Sequence, residues 1–388
     1  MQHFYFDHNA TTPVAPEVLE TAVSCLGQVY GNASSIHHFG QAAKQKLEAA
    51  RRQVAALIHA NPAEVVFTSG GTEADNLAIF GVVGGVFRAA ARERAHLITS
   101  AIEHPAVLAS SAQLEREGAD VTRVPVGGGG TVNPEDVRRA LRPETALVSI
   151  MHANNELGTV QPVAEIARIA HEAGVPLHVD GVQALGKIAV DVEAIGADLY
   201  SMSGHKLYAP KGVGALYVRK GTRLAPIAFG GHHERDRRPG TENVPGIAAF
   251  GAACELAGRT LAVESERLAS LRDRLETGVL DRISGTGING ARRDRTPNTS
   301  NIYFDGVDGE AMVIALDLRG FAVSTGSACS SGAITPSHVL TAMGLSADRA
   351  RASLRFSLGR SNTAEQVDAL ADALEASVAH LRRISVHA

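Results

Sequence analysis

Two residues of this 388-residue chain have the types and placement for carbonyl chemistry. Asp180 ends the apolar run Pro176–Asp180 (PLHVD), and Lys206 follows the next such run in Ser203-Gly204-His205-Lys206. A lysine amine forms a Schiff base with an aldehyde, and an acid beside a pyridine nitrogen keeps that ring protonated and electron-withdrawing. Upstream, Ser69-Gly70-Gly71-Thr72-Glu73-Ala74-Asp75-Asn76 follows a strand-like run and opens a helix-like one. Glycines there let the backbone approach an anion, and the N–H groups of a helix start point at it. Thr72 is the expected N-cap, with Asp75 completing a variant of the capping box. The turn is not a Walker A loop, because no Gly-Lys-Ser/Thr follows. Singly, each feature reads as a loop charge or a capped turn; together they meet the needs of pyridoxal phosphate.

The elements that must position these residues alternate. Strand-like runs cover Glu64–Ser69, His96–Ser100, Val121–Val126, Ala146–Met151, Pro176–Asp180, Leu199–Ser203 and Val213–Val218. Helical periods lie between them at Thr72–Arg88, Ala106–Glu117, Pro134–Leu141 and Pro162–Ala173. Such alternation predicts a largely parallel sheet with helices on both faces. Ligands of such sheets bind beyond the carboxyl ends of the strands, where Asp180 and Lys206 fall. Gly127–Gly130 reads as a flexible turn. After about Ala225 the pattern changes. Gly230–Gly240 is polar and fits neither element, and two helical stretches follow near Pro245–Ala257 and Ser265–Ile283. A strand (Ser300–Phe304), a helix (Gly309–Leu318), two further strands (Phe321–Ser324, Leu354–Ser357) and a last helix (Thr363–Arg383) predict a smaller α+β unit.

Composition limits the function classes. The formal charge is −4 and hydrophobic residues make up 45 %, which gives no basic excess for nucleic acid or an anionic membrane. Three cysteines, Cys25, Cys254 and Cys329, are too few for a disulfide scaffold. The start MQHFYFDHNATTPV lacks the pattern of a secretory signal, and the apolar run Leu77–Phe87 is too short to cross a bilayer. A cytoplasmic, soluble protein is expected. His232-His233-Glu234 has no H-E-x-x-H spacing, and His37-His38 fits a loop-to-helix junction, so no metal is assigned. Arg235, Arg237 and Arg238 form a basic patch, either solvated or facing another subunit's active-site mouth.

Several motifs carry a resemblance. SGGTEADN, EHPAV (Glu103–Val107), MHANNELG (Met151–Gly158), HVDGVQALGK (His178–Lys187) and SGHKLYAPKGVGALY (Ser203–Tyr217) resemble the pyridoxal-phosphate-dependent cysteine desulfurases, which supply sulfur for iron–sulfur clusters. The likeness runs from ATTPV (Ala10–Val14) to RFSLGR (Arg355–Arg360). It implies an aspartate-aminotransferase-like α/β fold of type I. The large cofactor-binding domain would span residues 15–250; residues 1–14 and 251–388 would form the small domain. By the same resemblance Lys206 holds the cofactor, Asp180 pairs with its ring nitrogen, and His104 stacks on the ring and relays protons. Thr72, Ser203 and His205 bind the phosphate, with Gly71 supplying backbone. Asn155 and Gln183 bond the phenolic oxygen, Asn155 also facing substrate, while Asn154 is suited to an Asx-turn. Arg355 clamps the substrate carboxylate in a bidentate pair.

The resemblance gives Cys329 the central role. It lies in Ser324-Thr325-Gly326-Ser327-Ala328-Cys329-Ser330-Ser331-Gly332, a run of small residues like the long SSGSAC-type loop of one family branch. Its thiolate would take sulfur from cofactor-bound L-cysteine as a persulfide and pass it to an acceptor protein, a cluster scaffold or a tRNA-thiolation enzyme. Cys25 and Cys254, in alanine-rich helical surroundings, read instead as small buried hydrophobes. GTEN (Gly240–Asn243) and PNTSNI (Pro297–Ile302) look like the nitrogenase-associated desulfurases, in which the Thr of GTEN reaches a neighbouring subunit's phosphate. Thr241 therefore implies a homodimer. Gly31-Asn32-Ala33-Ser34-Ser35 lacks the family's usual proline. Relatives often extend further to dock a scaffold; with the sequence reaching only Ala388, that docking mode is not expected.

The expected reaction is conversion of L-cysteine to L-alanine. The alternatives are an aminotransferase or selenocysteine lyase on the same fold, or a non-catalytic sulfur carrier that has lost the lysine-bound chromophore. Replacing Cys329 by Ala separates the first two classes. Persulfide formation and sulfide release should vanish with a desulfurase, whereas an aminotransferase would retain its turnover.

Overall fold

The computed structural model describes residues 2–85, 95–326 and 336–385. Cys329 lies outside the described residues. The chain opens with a short strand, β1 (Phe4–Tyr5). Seven strands then build the main sheet: β2 (Val65–Thr68), β3 (His96–Ser100), β4 (Asp120–Val124), β5 (Thr145–Met151), β6 (Leu177–Asp180), β7 (Leu199–Ser203) and β8 (Gly214–Val218). Their order is β2-β8-β7-β6-β5-β3-β4, parallel except that β8 runs antiparallel to both neighbours. Successive side chains point to opposite faces. Val65, Phe67, Val148, Ile150, Tyr200 and Met202 therefore enter one apolar core, while Val66, Leu147 and Leu199 enter the core on the other face. Burial on both faces explains why these strands read as continuous apolar runs.

The first core is closed by α1 (Pro16–Gln28) and α2 (His38–Leu57). The second is covered by α3 (Gly71–Ile79) and α4 (Pro105–Arg116). Where one helix was expected over Thr72–Arg88, α3 gives way to a wide π-turn at Phe80–Gly84. Gly127–Gly130 does form a turn, closed by Gly127 N–H donating to Thr131 O at 2.9 Å.

The two helices expected between Pro245 and Ile283 are one, α5 (Val244–Arg282). Ile247, Phe250 and Cys254 pack into the first core, and Leu268, Leu271, Leu275 and Val279 into a third. Residues 258–267, between the two groups, include no buried residue, so the apolar period fades although the helix continues. α5 is long and apolar enough to cross a bilayer, but half of its apolar window is buried here, as in a core helix.

The third core lies under a sheet of β9 (Thr286–Asn289), β10 (Thr299–Phe304) and β12 (Ser353–Ser357), in the order β12-β10-β9. β1 pairs in parallel with β11 (Phe321–Ala322), so the chain's first residues belong to this small sheet system. The polar segment Gly230–Gly240 is anchored by Glu234. Its buried carboxylate accepts two bonds of 2.8 Å from Arg51 and one of 2.9 Å from Phe67 N–H.

Candidate functional site

A cavity of about 830 Å³ opens beyond the carboxyl ends of the central strands. Gly71, Thr72, His104, Asn155, Asp180, Gln183, Ser203, His205, Lys206 and Arg355 line it, the structure having gathered them from loops far apart in sequence. Thr241 is exposed and does not line this cavity. Cys329 belongs to the undescribed stretch 327–335, but Gly326 and Pro336 on either side of that stretch both line the cavity.

Each side chain is held by its own element. Asp180 is the last residue of β6 and accepts Val182 N–H at 3.0 Å. Lys206 follows β7, and its Nζ donates to the carbonyls of Asn9 and Ala10, both at 2.6 Å. His104 caps α4: its Nδ1 accepts Ala106 N–H at 3.1 Å, which leaves the proton of the neutral ring on Nε2. The expected Thr72 cap is not formed. α3 begins one residue earlier, with Gly70 at its N-cap and no side chain capping it. Glu73 instead accepts Ser69 N–H at 2.7 Å and pairs with Arg238 at 2.8 Å. That leaves the first-turn N–H groups of α3 at the cavity. A Cβ on Gly71 would lie 2.7 Å from Val182 Cγ2 and 3.4 Å from Ser203 Cβ, so only glycine lets this turn sit so close. Asn154 closes the expected Asx-turn, its Oδ1 accepting Glu156 and Leu157 N–H at 2.9 and 3.0 Å.

Arg355 comes from β12 and is already partly engaged. Nη2 donates to Asp7 Oδ1 at 2.6 Å and Nη1 to Asn155 O at 3.1 Å, while Nε is buried without a partner. A buried donor without an acceptor is costly, and a carboxylate bound in the cavity would relieve it.

Burial governs the electrostatics. Asp180 is held above the usual carboxylate range by burial, against the pull of His104 and Lys206. Behind it, burial and the nearby Asp180 charge push Asp75 well up, and burial raises Glu103 to about 8. Burial pushes His178 down to about 3; its ring bonds Ser149 and Ser201 hydroxyls at 2.8 and 2.9 Å. His104 is lowered by burial and His205 falls to about 4, burial again being the main cause.

Sequence reasoning missed Asn9, Asp75, Glu156 and His338, which also line the cavity. Asn9 directly precedes the ATTPV motif and Glu156 lies within MHANNELG, but nothing in their spacing showed that they converge. The histidines of the polar loop go separate ways, His232 to Asp236 and His233 to Glu242. Among the described residues no group of three or more His, Cys, Asp or Glu is placed to share a metal ion.

The donor set fits pyridoxal phosphate. A helix N-terminus, a glycine that a Cβ would clash out of place, Ser203 and His205 suit a phosphate. Asp180, buried with oxygen valence to spare, suits a cationic ring nitrogen, and Lys206 supplies the amine.

Glu103 gives a test of these buried charges. Its Oε1 accepts Ser100 Oγ–H at 2.5 Å and Met151 N–H at 3.0 Å, which ties the loop before His104 to the end of β5. With a folded pKa of about 8, it adds stability that is complete below the ordinary carboxyl value and is lost as pH rises towards 8. Glu103→Gln removes this titration. Between pH 5 and 8 the apoprotein variant should lose less unfolding free energy than wild type, by up to about 1.4 kcal/mol per pH unit. Parallel profiles in urea denaturation would show that Glu103 does not titrate this way.

The comparisons with known proteins agree on one family. The sequence matches the aminotransferase class-V family over residues 4–370. A cysteine desulfurase IscS of Dictyoglomus turgidum is 47 % identical over 381 residues, covering 98 % of this chain and 96 % of that protein. A solved NifS-like protein superposes with a TM-score of 0.91 at 36 % identity, covering 98 % of this chain and all of the other. SspA, solved in complex with cysteine, matches with a TM-score of 0.81 at 37 % identity over 91 % of this chain and 98 % of its own. The chain belongs to the class-V aminotransferase family, among its cysteine desulfurases.

Proposed function

We propose that this protein is a pyridoxal-phosphate-dependent cysteine desulfurase that converts L-cysteine to L-alanine and leaves the sulfur on Cys329 as a persulfide. One observation carries the reading: an amine, a buried acid, a helix N-terminus and an arginine with an unpartnered Nε line a single cavity. When bound, the cofactor supplies an electron sink for charge developing at the substrate's α-carbon. Thr72, Ser203, His205 and the backbone at Gly71 would hold its phosphate. Asp180 would keep its ring nitrogen protonated, and Asn155 and Gln183 would bond its phenolic oxygen. Arg355 fixes the substrate carboxylate. Lys206 carries the cofactor and then moves the α-proton, and His104, with its proton on Nε2, relays protons across the cavity.

In the sulfur step the Cβ–S bond of the substrate breaks and its electron pair stays with carbon. The Cys329 thiolate bonds to the departing sulfur. The proton lost by the Cys329 thiol is matched by one gained at the β-carbon, so cysteine plus thiol gives alanine plus persulfide. Gly326 and Pro336 at the cavity wall support access from the segment between them.

The acceptor is a sulfur-receiving protein, a cluster scaffold or a tRNA-thiolation enzyme. The enzyme works as a homodimer, with Thr241 reaching the partner's phosphate site. This is supported by the exposure of Thr241 and by an apolar surface of Leu19, Val23 and Leu26 on α1 with Tyr30 and Phe39, whose rings stack 5.3 Å apart. The free, buried thiols of Cys25 and Cys254 suit a reducing cytoplasm. We read residues 15–250 as the large domain and 1–14 with 251–388 as the small one, the separate apolar cores on α5 supporting a division within that helix.

Incubation of the holoenzyme with sulfur-34-labelled cysteine tests the reading. Mass analysis should find one labelled sulfur on the Cys329 peptide and an equal amount of alanine in solution. Alanine without a labelled Cys329, or a keto acid in its place, would contradict it.

A further inference from the structure

Next to the cavity lies a second amine that the proposed reaction leaves unused. Lys187 is buried, and among the described residues no carboxylate forms an ion pair with it. Its Nζ donates to Asn9 Oδ1 at 2.7 Å and to Gln183 Oε1. Burial, reinforced by the positive charges of Lys206 and Arg355, holds it well below the ordinary lysine range, and both of its bonds are made as a donor. His8, Lys206 and Glu264 share its small neighbouring cavity.

Valence then decides how Gln183 is oriented. Its Oε1 is claimed by Lys187, and one Nε2 hydrogen goes to Asn9 O at 3.0 Å. Asn9 O is a backbone carbonyl and can only accept, and the Asn9 side chain beside it is held as well. Its Nδ2 is committed to Asn155 O at 3.1 Å and Thr299 Oγ1 at 2.9 Å, and its Oδ1 accepts from Lys187 and, at 3.1 Å, from Asn298 Nδ2. With Oε1 turned to Lys187 and one Nε2 hydrogen to Asn9 O, the second Nε2 hydrogen is the donor Gln183 has left for the main cavity that it lines. An amide freed from Lys187 could instead present its oxygen, which repels an oxygen of the ligand.

We propose that Lys187 is a positioning residue, claiming the Gln183 oxygen so that Gln183 offers an N–H donor to the oxygen of the cofactor ring. The inference rests on the reading of the cavity as a pyridoxal phosphate site.

A double-mutant cycle tests it, with pyridoxal phosphate affinity and the absorption spectrum of the bound cofactor as readouts. The apoproteins are wild type, Lys187→Met, Gln183→Leu and the double variant. Lys187→Met should weaken cofactor binding about tenfold in the wild-type background. In the Gln183→Leu background it should weaken binding less than twofold, and the two single variants should share one altered spectrum. Equal losses in both backgrounds, or no loss in wild type, would overturn the role. Wild-type apoprotein that takes up no pyridoxal phosphate would overturn the reading of the cavity instead. If Lys187→Met does not melt cooperatively, Lys187→Leu, which also lacks a donor, passes through the same cycle under the same criterion.

Discussion

A carboxyl group sealed from water must meet a cation or keep its proton, and Asp180 at the end of β6 stands under that constraint. Its charge in turn helps push up Asp75 and Glu103, which are buried nearby. His104 and Lys206 offset part of the cost of that burial, yet it still holds Asp180 above the usual carboxylate range. A protonated pyridine nitrogen would offset the rest, and the parallel strands place Asp180 where such a ring can enter. Much of the surrounding geometry follows from this one buried acid: Lys206 beyond the next strand, the open first turn of α3, and a glycine turn with no room for a Cβ.

The site also depends on the chain's first residues. Asp7 holds Arg355, and Asn9 reaches Asn155, Gln183, Lys187 and Lys206 on the side of the main sheet and Asn298 and Thr299 on the side of the small one. The N-terminal segment thus ties the group that would bind substrate carboxylate to the group that would bind cofactor. A shift between the two sheet systems would move Arg355 relative to Lys206 and change the cavity on the substrate's side first.

Much of this was legible in the sequence. The strands buried on both faces read directly as apolar runs, and Asp180 and Lys206 could be placed at their carboxyl ends by the general rule for parallel sheets. What stayed hidden had local causes. α5 looked like two helices because its middle buries no residue and so has no apolar face to signal continuity. Thr72 looked like a cap because its residue type suits one, but the helix starts at the glycine turn. Asn9, Lys187 and Glu156 act through contacts across long sequence separations, and a single polar residue carries no period that would reveal them. Thr241 and Cys329 were singled out by family likeness alone, and neither is among the described residues lining the cavity.

The central claim is that Lys206 carries pyridoxal phosphate opposite Asp180. Reducing the loaded enzyme with borohydride, digesting it and mapping the pyridoxyl-bearing peptide tests this directly. The account requires the label on Lys206, at one per chain, and a strong loss of labelling in Asp180→Ala at limiting cofactor. Label on Lys187 or on a surface lysine, with Lys206 unmodified, would contradict it.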